Sequence, residues 1–298
     1  MKITKYERFI IYPVLVALLI VFAFFDLNIT HALYNTNMTI GRIGELIAEL
    51  PFQIVSVYAA TLLFRVRTKD TKGKNIGFGI LFMFFAIGLS VYSGGRIVSY
   101  TPDYGWPTWL RWALAVVFGL GNFALSSFLA YKTPIEDRGK VLTFGTFVII
   151  MWFLVLIMMN VLKFFWHRPR WRYIVTLDGD SDSYFVPFYQ LSCNGTLSTN
   201  YASFPSGHTM NAISVICISL VGYVLPSWRS SALRLRIISY IWAILTAVTR
   251  VMVGAHFASD VTGGFLVGFL MFDLMSTFFF AFLEKKFVKN VKKTTTNA

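Results

Sequence analysis

Cysteine, histidine and charge are all scarce in this chain of 298 residues. Two cysteines, Cys193 in a polar stretch and Cys217 inside an apolar run, are badly placed to pair, so no disulfide framework holds the fold. Only 14% of the residues are charged, against 56% hydrophobic and 17% aromatic, which excludes an ordinary water-soluble globular domain. No internal repeat of fixed period stands out. With only four histidines, those that fall in a patterned context carry weight.

What the chain has instead is long apolar runs. A helix needs about 20 apolar residues to cross the hydrocarbon core, and eight such spans can be placed, over 9–25, 46–64, 76–93, 109–131, 141–162, 207–225, 235–253 and 257–282. The predicted fold is therefore all-α, a polytopic transmembrane helical bundle forming one integral membrane domain over 1–298. The first run has a basic start like a signal peptide, but no small-residue cleavage site follows Phe25, and it reads as a retained span.

Nineteen of the 27 lysines and arginines fall in the two termini and in alternate loops, at Arg65 to Lys74, Lys132 to Lys140 and Arg229 to Arg236. The positive-inside rule then makes both termini cytoplasmic, and most of the net charge of +13 reflects that bias rather than an affinity for nucleic acid. Five of the eight remaining cations, Lys163, Arg168, Arg170, Arg172 and Arg250, cluster on the opposite side. No acid follows the first of them until Asp178, so they point to a bound anion.

Three stretches on that side carry chemistry. Lys163-Phe-Phe-Trp-His-Arg-Pro-Arg170 presents three cations at the end of an uncharged span. Pro205-Ser-Gly-His208 opens the sixth span; a helix start of this kind offers free N–H groups to an anion, Gly207 lets it approach the backbone, and Ser206 adds a hydroxyl. Arg250 ends the seventh span, and His256 and Asp260 begin the eighth at a spacing of four, on one helix face. A carboxylate on one ring nitrogen leaves the other free as nucleophile or base. The bland alternatives are a snorkelling lysine, a capped helix start and a bracing His–Asp pair. A metal held by His208, His256 and Asp260 is opposed by the nearby cations.

These stretches resemble the signature of the type 2 phosphatidic acid phosphatase (PAP2) superfamily. That signature is Lys, six residues, Arg-Pro; then Pro-Ser-Gly-His; then Ser-Arg, five residues, His, three residues, Asp. Lys163 and Arg170 keep the first interval, Pro205 to His208 is identical, and Arg250, His256 and Asp260 keep the third. Trp171 stands for the expected Pro and Thr249 for the expected Ser, while Arg168 is expected to be a contact of second rank.

The resemblance implies a six-helix core plus extra N-terminal spans; the catalytic part that carries the motifs covers 141–284, after the N-terminal spans of 1–140 and before a basic cytoplasmic tail over 285–298. It implies hydrolysis of a membrane lipid phosphate or diphosphate on the extracytoplasmic face, without metal or cofactor. His256 would be the nucleophile, oriented by Asp260, and His208 the acid. Lys163, Arg170, Ser206, Gly207 and Arg250 would bind the phosphate. A phosphotransferase of the same superfamily and an anionic-lipid transporter are the competing expectations. Asp273, roughly 20 Å deeper than Asp260 at about 1.5 Å per residue, is expected to hydrogen-bond a neighbouring helix instead.

Overall fold

The computed structural model describes residues 3–69, 72–101, 104–193 and 198–289. The chain is 82% helix, and no strand occurs among the described residues. Among the described residues, eight helical segments are long and apolar enough to cross a membrane, and each coincides with one predicted span to within a residue or contains it. The protein is thus a multi-pass membrane protein.

Helix α1 covers Lys5–Leu33, α2 Thr39–Ile47, α3 Leu50–Thr68, α4 Gly73–Tyr100, α5 Thr108–Lys132 and α6 Arg138–Trp166. A short α7, Trp171–Ile174, opens the long polar loop. The sixth span begins as α8, Gly207–Ser214, and continues through a 3-10 turn into α9, Val221–Val224; α10 is Ala232–Met252. The last span runs as α11, Ala258–Leu274, through a π-helical turn into α12, Phe280–Glu284. The basic tail lies outside the described residues from 290 onward.

Local chemistry sets several of these starts. Thr4 caps α1 in a reciprocal box with Glu7, whose N–H donates to the Thr4 hydroxyl at 3.2 Å. Asp137 caps α6 by accepting from Lys140 N at 3.1 Å. Pro51 falls in the first turn of α3, where a missing N–H costs nothing.

Helix α8 is buried over its whole length and forms the axis of the bundle. Helices α6, α10 and α11 pack around it, α1 lies against α11, and α2 against α10. Helices α3, α4 and α5 pack on one another and join the rest through α3 and α6. Large apolar side chains on α1 and α5, among them Phe9, Phe24, Val117 and Leu120, point outward, as helix faces meeting lipid do.

Burying apolar surface does not drive helices together in lipid, so polar contacts between spans matter. Asp273 of α11 is such a contact: it accepts from Arg8 Nε at 2.9 Å, from Arg8 Nη2 at 2.7 Å and from the Tyr12 hydroxyl at 3.0 Å. The expected hydrogen bond to a neighbouring helix is therefore an ion pair with α1. Hydrogen bonds to a charged group contribute about 1.5–3 kcal/mol. Asp273→Ala is expected to remove roughly that much stability, and thermal denaturation in detergent beside the wild type measures it; an unchanged midpoint would refute the tie.

Candidate active site

Two helix ends and two helix starts meet at one end of the bundle: the C-terminal ends of α6 and α10 and the N-terminal ends of α8 and α11. Each of the three sequence stretches lies at one of these ends, so all the predicted site residues lie at that end of the bundle.

The first stretch leaves α6 through His167, which takes the left-handed conformation at φ 42° and stacks flat on Tyr201 at 4.6 Å. Lys163 stays in the last helical turn. A Cβ built on Gly207 would stand 3.4 Å from Lys163 Nζ and 2.3 Å from Met159 Sδ, so a side chain here would displace Met159 where α8 meets α6. The backbone of Arg168 and Arg170 is held by the segment before α8. Arg170 N–H donates to Asn200 O at 2.9 Å, and Ser203 N–H donates to Arg168 O at 3.0 Å.

The second stretch joins the third through the backbone, because Ser206 N–H donates to Asp260 O at 2.9 Å. The Ser206 hydroxyl caps α8, accepting from Thr209 N–H at 3.4 Å and from the Thr209 hydroxyl at 3.1 Å, and its own hydrogen remains to be donated. His208 follows on the first turn, with its ring centroid 6.5 Å from that of His256 and 4.7 Å from Tyr100 of α4.

The third stretch turns at Gly254, whose φ of +62° suits glycine and whose missing Cβ leaves room for Tyr34. His256 Nδ1 lies 2.6 Å from Ser203 O. A carbonyl can only accept, so Nδ1 carries the hydrogen and Nε2 keeps its lone pair. Burial, helped by the charges of Arg170, Lys163 and Arg250, holds His256 well below the ordinary imidazole range. The ring is neutral around pH 7.

Two expectations are corrected here. Asp260 does not hydrogen-bond the ring, since its nearest oxygen is 3.9 Å from His256 Nδ1. It caps α11 instead, accepting from Phe257 N–H at 2.8 Å, and takes the Ser203 hydroxyl at 2.6 Å and Arg168 Nη1 at 2.6 Å. The ring nitrogen that faces Asp260 is itself committed to Ser203 O. The influence of Asp260 on His256 passes through Ser203, which bonds Asp260 with its hydroxyl and His256 with its carbonyl.

Arg168 is the second correction. It is wholly buried and ion-paired, at 2.6 Å to Asp260 and 2.9 Å to Asp26 of α1, with its guanidinium 4.1 Å over the Phe257 ring. It braces the site and is not placed to hold an anion. Asp26 also accepts from Ser259 N–H at 2.8 Å and from the Ser259 hydroxyl.

Arg250 is likewise buried, with Nη2 donating to Gly41 O at 2.8 Å and Glu45 Oε1 3.0 Å from Nη1, an ion pair without hydrogen-bond alignment. Lys163 and Arg170 are the predicted cations that are not ion-paired among the described residues. Arg170 Nε, His208 Nε2, and Arg250 Nε and Nη1 are buried with no hydrogen-bond partner. Such orphan groups cost free energy unless something satisfies them. Three of the predicted site residues, Arg170, His208 and Arg250, thus hold unused donors or lone pairs.

Asp26, Glu45, Ser203 and Tyr100 escaped the sequence reading. A signal existed for Asp26 and Glu45, because an acid in an apolar helix demands a partner. Nothing in a lone Ser or Tyr distinguishes Ser203 or Tyr100. Trp171, the departure from the family pattern, starts α7 and packs edge-on against His31 and Phe257.

Comparison with known proteins points to the same segment. The family model described as the PAP2 superfamily matches residues 144–284. Over 79 residues, 26% of the chain, the protein is 43% identical to the phosphatidylglycerophosphatase B of Bacillus subtilis (strain 168), of which 38% is covered. Over 85 residues, 28% of the chain, it is 34% identical to the phosphatidylglycerophosphatase B of Haemophilus influenzae, of which 34% is covered. The chain thus spans little more than a third of these relatives, and no solved structure matches it. The segment that carries all three motifs, residues 144–284, is therefore the part of the chain that is similar to the PAP2 superfamily.

Proposed function

We propose that this protein hydrolyses a membrane lipid phosphate or diphosphate through a phosphohistidine formed on His256. The observation that carries the reading is His256 itself: a buried, neutral imidazole whose Nδ1–H is spent on Ser203 O, leaving Nε2 as a nucleophile among cations. The relatives' names, phosphatidylglycerophosphatase B, place a lipid phosphate among the substrates to test first.

Lys163, Arg170 and Arg250 bind the phosphoryl oxygens, together with the Ser206 hydroxyl and the Gly207 N–H at the start of α8. Nε2 of His256 bonds to phosphorus as the bond from phosphorus to the lipid oxygen breaks, and His208 delivers a proton to that oxygen. Water then attacks phosphorus, His208 takes its proton, and the P–N bond breaks to release inorganic phosphate. Asp260 acts at one remove, holding Ser203 and the start of α11.

The loop charge bias puts this end of the bundle on the extracytoplasmic side, where a lipid presents its headgroup while its tails stay in the bilayer. A transporter would need the cations but no activated imidazole, which favours hydrolysis over transport. Transfer of the phosphoryl group to another acceptor uses the same first step, and the fate of the phosphate decides between them.

Purified protein is expected to release inorganic phosphate from phosphatidic acid, phosphatidylglycerol phosphate or a polyprenyl diphosphate in the presence of a chelator, and vanadate should inhibit it. His256→Ala is expected to lower kcat by at least about a thousandfold, the scale of losing a nucleophile. Full turnover in that variant would refute the phosphohistidine.

The depressed basicity of His256 also sets a pH dependence. The nucleophilic form is populated above its pKa, so the acid limb of kcat/KM should lie below about pH 6.5, the ordinary imidazole value. A limb at or above that value, measured on the wild type across pH 4 to 8 (about the range imidazole and its shifted forms span), would show that His256 is not held neutral by its surroundings.

A further inference from the structure

Beside the cradle lies a polar cavity of about 630 Å³ whose lining includes Tyr34, Arg42, Glu45, Tyr104, Arg172 and Asn200. It adjoins the phosphate site through two residues. Glu45 contacts both Arg172, at 3.2 Å, and Arg250, at 3.0 Å. Asn200 accepts the backbone N–H of Arg170. Whatever occupies the cavity is therefore a neighbour of the phosphate between Arg170 and Arg250.

Among the described residues the charge balance of the cavity is positive. Glu45, the only acidic lining residue among the described residues, is shared among Arg172, Arg250 and the Tyr104 hydroxyl, which donates to it at 2.5 Å. Arg42 is not ion-paired among the described residues. Its Nε donates to Thr36 O at 3.0 Å and its guanidinium stands 5.0 Å over the Tyr104 ring, which fixes the plane and leaves the terminal nitrogens for a ligand. A guanidinium held flat in this way matches the oxygens of a phosphate better than the hydroxyls of a sugar.

We infer that this cavity is a second anion subsite, in which Arg42, supported by Arg172, binds a second phosphate on the headgroup of the lipid whose terminal phosphate is cleaved at His256. The inference rests on the phosphatase reading above and narrows it: lipids with two phosphates are preferred to lipids with one. Arg42 and Glu45 belong to α2, outside the matched segment 144–284. The selectivity therefore comes from the chain's own N-terminal spans.

The test compares kcat/KM of the full-length protein for phosphatidic acid, with one phosphate, against phosphatidylglycerol phosphate, whose two phosphates are separated by glycerol, and a polyprenyl diphosphate, whose two are directly joined. The wild type is expected to prefer at least one two-phosphate lipid, and which one reports the spacing that the subsite accepts. Arg42→Gln is expected to reduce that preference, as a ratio to phosphatidic acid, by about tenfold, the scale of one lost charge-assisted contact. Arg42→Lys, which keeps the charge, should retain more of it. A wild type without preference overturns the subsite, and so does an Arg42→Gln protein whose turnover of all three lipids falls by one common factor or not at all. Failure of the wild type to release phosphate from any of the lipids would instead remove the phosphatase reading itself.

Discussion

Cations gathered at the edge of a hydrocarbon layer repel one another, and the organisation of this site depends on how that repulsion is relieved. Two carboxylates arrive from spans far away in the chain. Asp26 of α1 reaches Arg168, and Glu45 of α2 reaches Arg250 and Arg172. A buried charge is tolerated only when it is paired and hydrogen-bonded, and removing one partner costs several kcal/mol. The first two helical segments are thereby locked to the half that carries the three motifs by electrostatics as much as by packing.

Pairing also divides the cations into two kinds. Arg168, between two carboxylates and over an aromatic ring, has no capacity left for a ligand. Lys163 and Arg170 are not ion-paired among the described residues, and Arg250 keeps unused donors beside its carboxylate. The same distinction separates the histidines. His31 meets Asp182 at an exposed contact and His167 caps a helix, while His208 and His256 face each other within the cation cluster. Ser203 is the joint between the two regimes, with its hydroxyl on the bracing carboxylate of Asp260 and its carbonyl on the His256 ring.

Much of this was legible in the chain before any coordinates. Long apolar runs locate helices by length alone, because a lipid core admits little else, and all eight runs appear as helices. The motif residues announced themselves by type and spacing, and they do converge at one end of the bundle. What misled was proximity along the chain. Asp260, one turn from His256, suggested a direct hydrogen bond, but the start of α11 and Arg168 claim its oxygens first. Arg168, two residues from Arg170, suggested a shared ligand, yet it turns toward α1.

The amino-acid sequence by itself determined the solvent, the helices and the inventory of the site, because those follow from hydropathy and from side-chain chemistry, which are local. Tertiary structure alone decided which acid meets which arginine, which nitrogen of His256 is free, and that α2 lends Arg42 and Glu45 to a cavity beside the cradle. Those outcomes depend on contacts between residues as many as 265 positions apart, as Arg8 and Asp273 are. No spacing rule within one helix or one loop reaches that far.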